Sequence, residues 1–209
     1  MGKIISIANQ KGGVGKTTTA INLAASLAVA EKRVLAVDLD PQGNLTSGFG
    51  LEKASGLYEA LFSGVSLPPP ARTALEYLQV IQSDPDLAGL EVELATGDGR
   101  EFRLRGSVDA LRGEYDFILL DTPPSLGLLA VNALTAADSV LVPIQCEYFA
   151  LEGLGAFLGT LDRIRAALNP KVALEGVLLT MADERTNLSQ QVSADVRAHF
   201  GDQVFKTTI

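Results

Sequence analysis

The stretch Asn9-Gln10-Lys11-Gly12-Gly13-Val14-Gly15-Lys16-Thr17-Thr18 decides the fold, because an apolar run, Ile4–Ala8, precedes it and a helical run follows at once. A strand, a glycine-rich turn, Lys-Thr and a helix in that order form a phosphate loop. Gly12, Gly13 and Gly15 let backbone amides turn inward without Cβ clashes, so that they and the helix N-terminus converge on a polyphosphate. Val14 and Thr18 complete the loop. Lys16 is expected to bridge the β- and γ-phosphates of ATP, and Thr17 to place its hydroxyl on Mg²⁺.

The usual pattern asks for glycine six places before Lys16, where Gln10 stands, and a second lysine, Lys11, sits at the mouth of the loop. This is a deviant Walker A loop. The stem of Lys11 is poorly placed to curl back onto phosphates that Lys16 already serves, so we expect Lys11 to reach a nucleotide held by a neighbouring subunit.

Outward from the loop, short runs rich in Ile, Val and Leu alternate with segments of helical period, the pattern of a doubly wound, mostly parallel α/β sheet flanked by helices. Strands are expected at Ile4–Ala8, Arg33–Asp38, Tyr77–Ile81, Phe117–Asp121, Ser139–Ile144, Leu174–Thr180 and Val204–Thr207. Helices are expected at Lys16–Ala30, Leu57–Phe62, Phe102–Leu111, Leu126–Ala136, Gly153–Leu168 and Ser189–Phe200. Ser63–Thr73, with three consecutive prolines, reads as a surface connection. A chain of 209 residues is enough for one sizeable core, so a single domain, 1–209, is expected.

Two acidic turns follow buried strands. In Val34-Leu35-Ala36-Val37-Asp38-Leu39-Asp40 the two carboxylates share one side of an extended chain, so both can face the phosphates, and Asp40 is the candidate for positioning the attacking water. In Phe117-Ile118-Leu119-Leu120-Asp121-Thr122-Pro123-Pro124, Asp121 matches a Walker B acid that holds Mg²⁺ directly or through water, with Asp40 as a further, water-mediated ligand. Lys11, Lys16 and Asp40 are thus the expected catalytic groups, and the prolines with Gly127 suit a loop that moves with the γ-phosphate.

A net charge of −8 argues against a surface that attracts nucleic acid everywhere, so contact with DNA must be local. Arg163, Arg165, Lys171, Arg185, Arg197 and Lys206 could form a patch or be scattered solvated charges. The lone Cys146 can make no internal disulfide and reads as a small buried residue. His199 reads as a helix-end residue rather than a metal ligand. No apolar stretch is long enough to span a bilayer and no signal peptide opens the chain, so a cytoplasmic location without membrane contact is expected.

Lys11–Thr18, Asp38–Asn44, Asp121–Gly127, Pro143–Gly153 and the later Leu178–Met181 and Arg185–Leu188 together resemble the ParA/Soj chromosome-partitioning ATPases over nearly the whole chain. The resemblance implies a homodimer sandwiching ATP with Lys11 acting across the interface, DNA binding without sequence preference, nucleoid association, and weak ATP hydrolysis stimulated by DNA and a ParB-type partner. It places Arg185 on the DNA-facing surface, and Glu147 and Phe149 near the interfacial nucleotide. That family normally continues beyond the strand ending at Ile209, so the domain is expected to lack a C-terminal segment that completes the base pocket. The runner-up is a MinD-like membrane-positioning ATPase, which uses a C-terminal amphipathic helix. An iron-protein-like redox carrier needs two cysteines per subunit, and a tyrosine kinase with such a loop needs a terminal tyrosine cluster. A non-enzymatic nucleotide switch stays open.

Overall fold

The computed structural model describes residues 1–209 apart from the side chain of Glu91. Eight strands form one sheet in the order β3-β4-β2-β5-β1-β6-β7-β8. They are β1 Lys3–Ile7, β2 Val34–Asp38, β3 Ala71–Arg72, β4 Leu78–Ile81, β5 Phe117–Asp121, β6 Ser139–Gln145, β7 Ala173–Thr180 and β8 Val204–Thr208. All neighbouring pairs are parallel except β3 with β4.

The helices are α1 Lys16–Val29, α2 Asn44–Gly48, α3 Leu57–Ser63, α4 Leu90–Glu93, α5 Arg105–Ala110, α6 Leu128–Ala136, α7 Ala150–Ala167 and α8 Asn187–Phe200. The apolar runs form strands because both faces of the sheet are covered. Leu35, Val37, Ile118 and Leu120 pack with α3, α5 and α6, while their alternates Val34, Ala36 and Leu119 pack with Ala20, Ala24 and Ala28 of α1. On the same side as α6, β6 and β7 send Val140, Val142, Val177 and Leu179 against Leu154, Phe157 and Leu161 of α7 and Val192 and Val196 of α8.

The expected strands and long helices all form, with ends shifted by three residues or fewer. Three expectations need correction. Ser63–Thr73 is not only a connection, since Ala71 and Arg72 pair antiparallel with Val80 and Gln79. An edge strand of two residues just after a run of prolines offers little to a passing chain. The expected helix Phe102–Leu111 is broken into a 3-10 turn, Arg100–Phe102, and α5. Asn132 of α6 stitches the break: its carbonyl accepts Leu104 N–H at 3.1 Å, and its amide donates to Arg100 O at 2.9 Å. Finally, the turn after Asp38 continues into the unforeseen helix α2.

The order of connections reverses at the centre of the sheet. From β1 the chain passes through α1 to β2 on one side, and from β5 it passes through α6 to β6 on the other. Ligands of doubly wound sheets bind outside the carboxyl ends of the strands at such a reversal. Here Ile7 of β1 stands beside Asp121 of β5, and Asp121 beside Asp38 of β2.

Candidate phosphate and metal site

The loop leaves β1 and is held from two sides before it enters α1. The Asn9 amide donates to Pro143 O at 2.8 Å, and its carbonyl accepts the Lys11 N–H at 3.0 Å. The Thr180 hydroxyl, at the end of β7, lies 2.9 Å from Val14 O and 3.0 Å from Ile144 O. Gly13 and Gly15 take φ of 74° and 87°, conformations that side-chain-bearing residues rarely adopt. α1 starts without a side-chain cap or an acidic residue in its first turn, so its dipole and free amides face the loop uncompensated.

Lys16 is buried, and its ammonium donates to Lys11 O at 2.8 Å across the loop. Burial lowers its pKa, opposed by the nearby carboxylates of Asp121 and Asp40. Asp121 is fully buried, and neither of its oxygens has a hydrogen-bond partner of good geometry among the described residues. Burial foremost pushes its pKa up to about 7; the Thr17 hydroxyl and Lys16 pull it down, and the charges of Asp38 and Asp40 push it further up. A buried carboxylate left without donors is costly unless something cationic completes it. The group that fits is a hard, oxygen-seeking dication beside Thr17 and Asp121, with the loop amides and Lys16 left to a polyphosphate. The residues present therefore suit Mg²⁺ with a nucleoside triphosphate.

Of the two carboxylates whose spacing lets both face the phosphates, Asp38 is bonded within the acidic turn. Asp38 is fully buried, with one oxygen accepting Thr46 N–H at 2.8 Å and Thr46 Oγ1–H at 2.7 Å, and the other accepting Asp40 N–H at 3.2 Å. Burial raises its pKa, and the Thr46 contacts oppose that rise. It is a cap, supplied from a distance, for a short helix whose own N-cap, Gly43, has no side chain. Asp40 is left with one carboxylate oxygen bonded, at 2.9 Å, to the Gln42 N–H.

Lys11 and Glu147 form an ion pair at the mouth of the loop, with side chains 47% and 31% exposed. The pair belongs to one chain, so Lys11 must leave Glu147 to reach another subunit. Phe149, next to the start of α7, is exposed and packs edge-on against Tyr148, with ring centroids 5.0 Å apart. Arg185 stands outside this cluster on the turn into α8, its side chain 89% exposed and paired with Asp183 at 2.9 Å.

Among the basic residues that could form a patch or stand as scattered charges, several are engaged within the chain. Arg165 pairs with Asp162 and donates to Val172 O, and Arg197 donates to Phe205 O and Lys206 O. Cys146 is buried, and His199 lies in the last turn of α8 against Phe200. Among the described residues no helix is long and apolar enough to cross a membrane.

Sequence reasoning missed Asn9 and Thr180 as loop braces and Thr46 and Ser83 as neighbours of the acidic turn. Asn9 directly follows the strand, the one place where an amide could reach both the loop and β6. Thr180 carries a weaker signal, a polar residue closing an apolar strand.

A family model described as an AAA domain matches residues 2–174. The chain is 55% identical over 213 residues to the chromosome partitioning protein ParA of Myxococcus xanthus, covering 100% of this chain and 75% of that protein. It is 53% identical to the sporulation initiation inhibitor protein Soj of Bacillus subtilis, covering 100% of this chain and 84% of that one. Among solved structures, cobyrinic acid a,c-diamide synthase of Mycobacterium smegmatis, with bound ADP and magnesium, superposes with a TM-score of 0.89 at 40% identity, covering 96% of this chain and 83% of its own.

Proposed function

Because the chain belongs to the ParA/Soj family of chromosome-partitioning ATPases, we propose that it binds ATP with Mg²⁺ on the Lys11–Thr18 loop, dimerises around the nucleotide, and hydrolyses it during DNA segregation with a ParB-type partner. The observation that carries this is the convergence of the loop, buried Lys16, unpartnered Asp121 and Asp40 at the carboxyl ends of β1, β5 and β2. The Mycobacterium smegmatis protein, also solved with an ATP analog and magnesium, supports the choice of ligand. Both sequence relatives are named for partitioning or sporulation, which favours this reading over membrane positioning.

In it, the loop amides and Lys16 bind the β- and γ-phosphates, and Thr17 and Asp121 hold the metal. Bound there, the metal would supply positive charge that offsets the charge developing on the phosphate oxygens. Asp40 orients the attacking water, and Lys11, once released from Glu147, meets the phosphates of the partner subunit. Glu147 and Phe149 line the dimer face, and Arg185 contacts DNA phosphates.

Phosphate release in the presence of DNA and the partner's N-terminal peptide tests the reading. Asp40→Ala should lower that rate about 100-fold, as expected for losing a positioned proton acceptor, while ATP-dependent dimers persist. If the parent protein stays at background and Asp40→Ala changes nothing, the ATPase reading fails. Arg185→Ala should weaken retention on non-specific DNA and reduce the slope of log affinity against log salt by about one. An unchanged slope removes Arg185 from the DNA surface.

A further inference from the structure

Asp40 sits in a loop, and loops need fixing before they can aim a water. One carboxylate oxygen is held by the Gln42 N–H and the charge acts on Lys16 and Asp121, so the remaining hold must be on the backbone. The structure provides a closed ring of four hydrogen bonds that does this. Asp40 N–H donates to Asp38 Oδ1 at 3.2 Å, Thr46 Oγ1–H to Asp38 Oδ2 at 2.7 Å, Ser83 N–H to Thr46 Oγ1 at 2.9 Å, and Ser83 Oγ–H to Asp40 O at 2.6 Å.

Every proton in the ring has one destination, and all four residues are buried, with Thr46 and Ser83 at 0% exposure and Asp40 at 6%. The ring joins three separate pieces of chain: the end of β2, the first turn of α2, and the residues just beyond β4. Ser83 reaches Asp40 from 43 positions along the sequence. Its own position is pinned by Ser83 O accepting Ala54 N–H at 3.0 Å and by the next residue, Asp84, whose carboxylate accepts the amides of Gly56, Tyr58 and Asp86. A low-dielectric ring with every group satisfied is rigid, and removing one member strands its neighbours.

We propose that Ser83 and Thr46 are positioning residues for hydrolysis, holding the Asp40 backbone so that its carboxylate meets the water, while taking no part in nucleotide binding. This rests on Asp40 having the role proposed above. Ser83 lies past the end of β4, beyond every sequence motif that marks the site.

Ser83→Ala removes only the grip on Asp40 O. It should lower kcat about 10-fold, less than the 100-fold that a misplacement of about 1 Å can cost, and leave KM for ATP within about twofold. The ATP-bound dimer should live longer by a similar factor, because hydrolysis ends it. A merely destabilised protein would lose dimer lifetime instead. Thr46→Val keeps the shape but loses two bonds of the ring and should slow kcat at least as much as Ser83→Ala, whereas Thr46→Ser should recover most of the rate.

The decisive set is Ser83→Ala, Thr46→Val, Thr46→Ser and Asp40→Ala, assayed together for phosphate release and for dimer lifetime by light scattering. A parent-like rate in Ser83→Ala beside a slow Asp40→Ala sinks the Ser83 proposal alone. A parent-like rate in Asp40→Ala sinks the Asp40 reading and this proposal with it. A slow Ser83→Ala whose KM rises or whose dimers shorten in proportion shows a structural role only.

Discussion

Asp121→Asn should make the nucleotide-free protein more stable at pH 7.5 while abolishing its ATPase activity. The carboxylate is fully buried without a hydrogen-bond partner of good geometry among the described residues, and burial raises its pKa to about 7 from the ordinary 3.8. The folded chain thus holds the proton more tightly than the unfolded chain between these values, so stability falls as pH rises from about 4 to about 7 and then levels off. A neutral amide does not pay this penalty. The full shift corresponds to about 4 kcal/mol with the attraction of Lys16 already inside it, and burying a primary amide without good partners offsets part of it, leaving about 2 kcal/mol and a melting point several degrees higher.

The gain should shrink towards zero as pH is lowered to about 4, where the parent carboxyl is itself protonated in the fold. Loss of the carboxylate proposed to hold the metal, directly or through water, should lower magnesium-dependent turnover by more than about 100-fold. Thermal melts across pH 4 to 8 check the first half, and phosphate release checks the second. Equal melting points at pH 7.5, or a gain that grows on acidification, would contradict the assignment of Asp121 as the uncompensated charge.

The two lysines of the loop should separate cleanly. Lys16→Ala removes an ammonium that is buried inside the loop, and with it the proposed charge-assisted contacts to two phosphates, worth about 3–4 kcal/mol together. ATP affinity should fall more than about 100-fold. Lys11→Ala removes a half-exposed ammonium held by Glu147, so ATP affinity should stay within about threefold while ATP-dependent dimers disappear. Equilibrium binding of a fluorescent ATP analogue and size-exclusion with light scattering read the two effects. An unaltered dimer in Lys11→Ala would refute the action of Lys11 across the interface. Weakened binding in that variant, as severe as in Lys16→Ala, would place Lys11 on its own chain's phosphates instead.

Much of this architecture is visible in the residues. The inner parallel strands announce themselves because they are buried on both faces, which leaves a continuous apolar run such as Phe117–Leu120, and the loop because glycines, Lys and Thr follow such a run closely. What stays hidden depends on neighbours distant in sequence. α2 has only five residues and a glycine at its N-cap, so no local signal marks it; its cap comes from Asp38, eight residues before Thr46. The pairing of Asp38 with Thr46 likewise depends on the fold, since the spacing alone allows both carboxylates to face the phosphates.

Ser83 and Thr180 are ordinary hydroxyls until the fold sets them against backbone carbonyls of other segments. The break before α5 depends on Asn132, 28 residues downstream of Leu104. Periodicity alone predicts a continuous helix there, since Leu104 and Val108 are both buried on one face.

Ile7, Asp121 and Asp38 stand level on three adjacent strands. Neighbouring strands lie about 4.8 Å apart, and the spacing hardly varies because ladder hydrogen bonds set it. The sheet therefore acts as a ruler: the root of the phosphate loop, the metal-side acid and the root of the Asp40 turn occupy consecutive marks. The turn after Asp121 can change length without altering the interval between the root of the phosphate loop and the acid, so a bulge inserted in β5 should damage the chemistry more than a longer turn after Asp121.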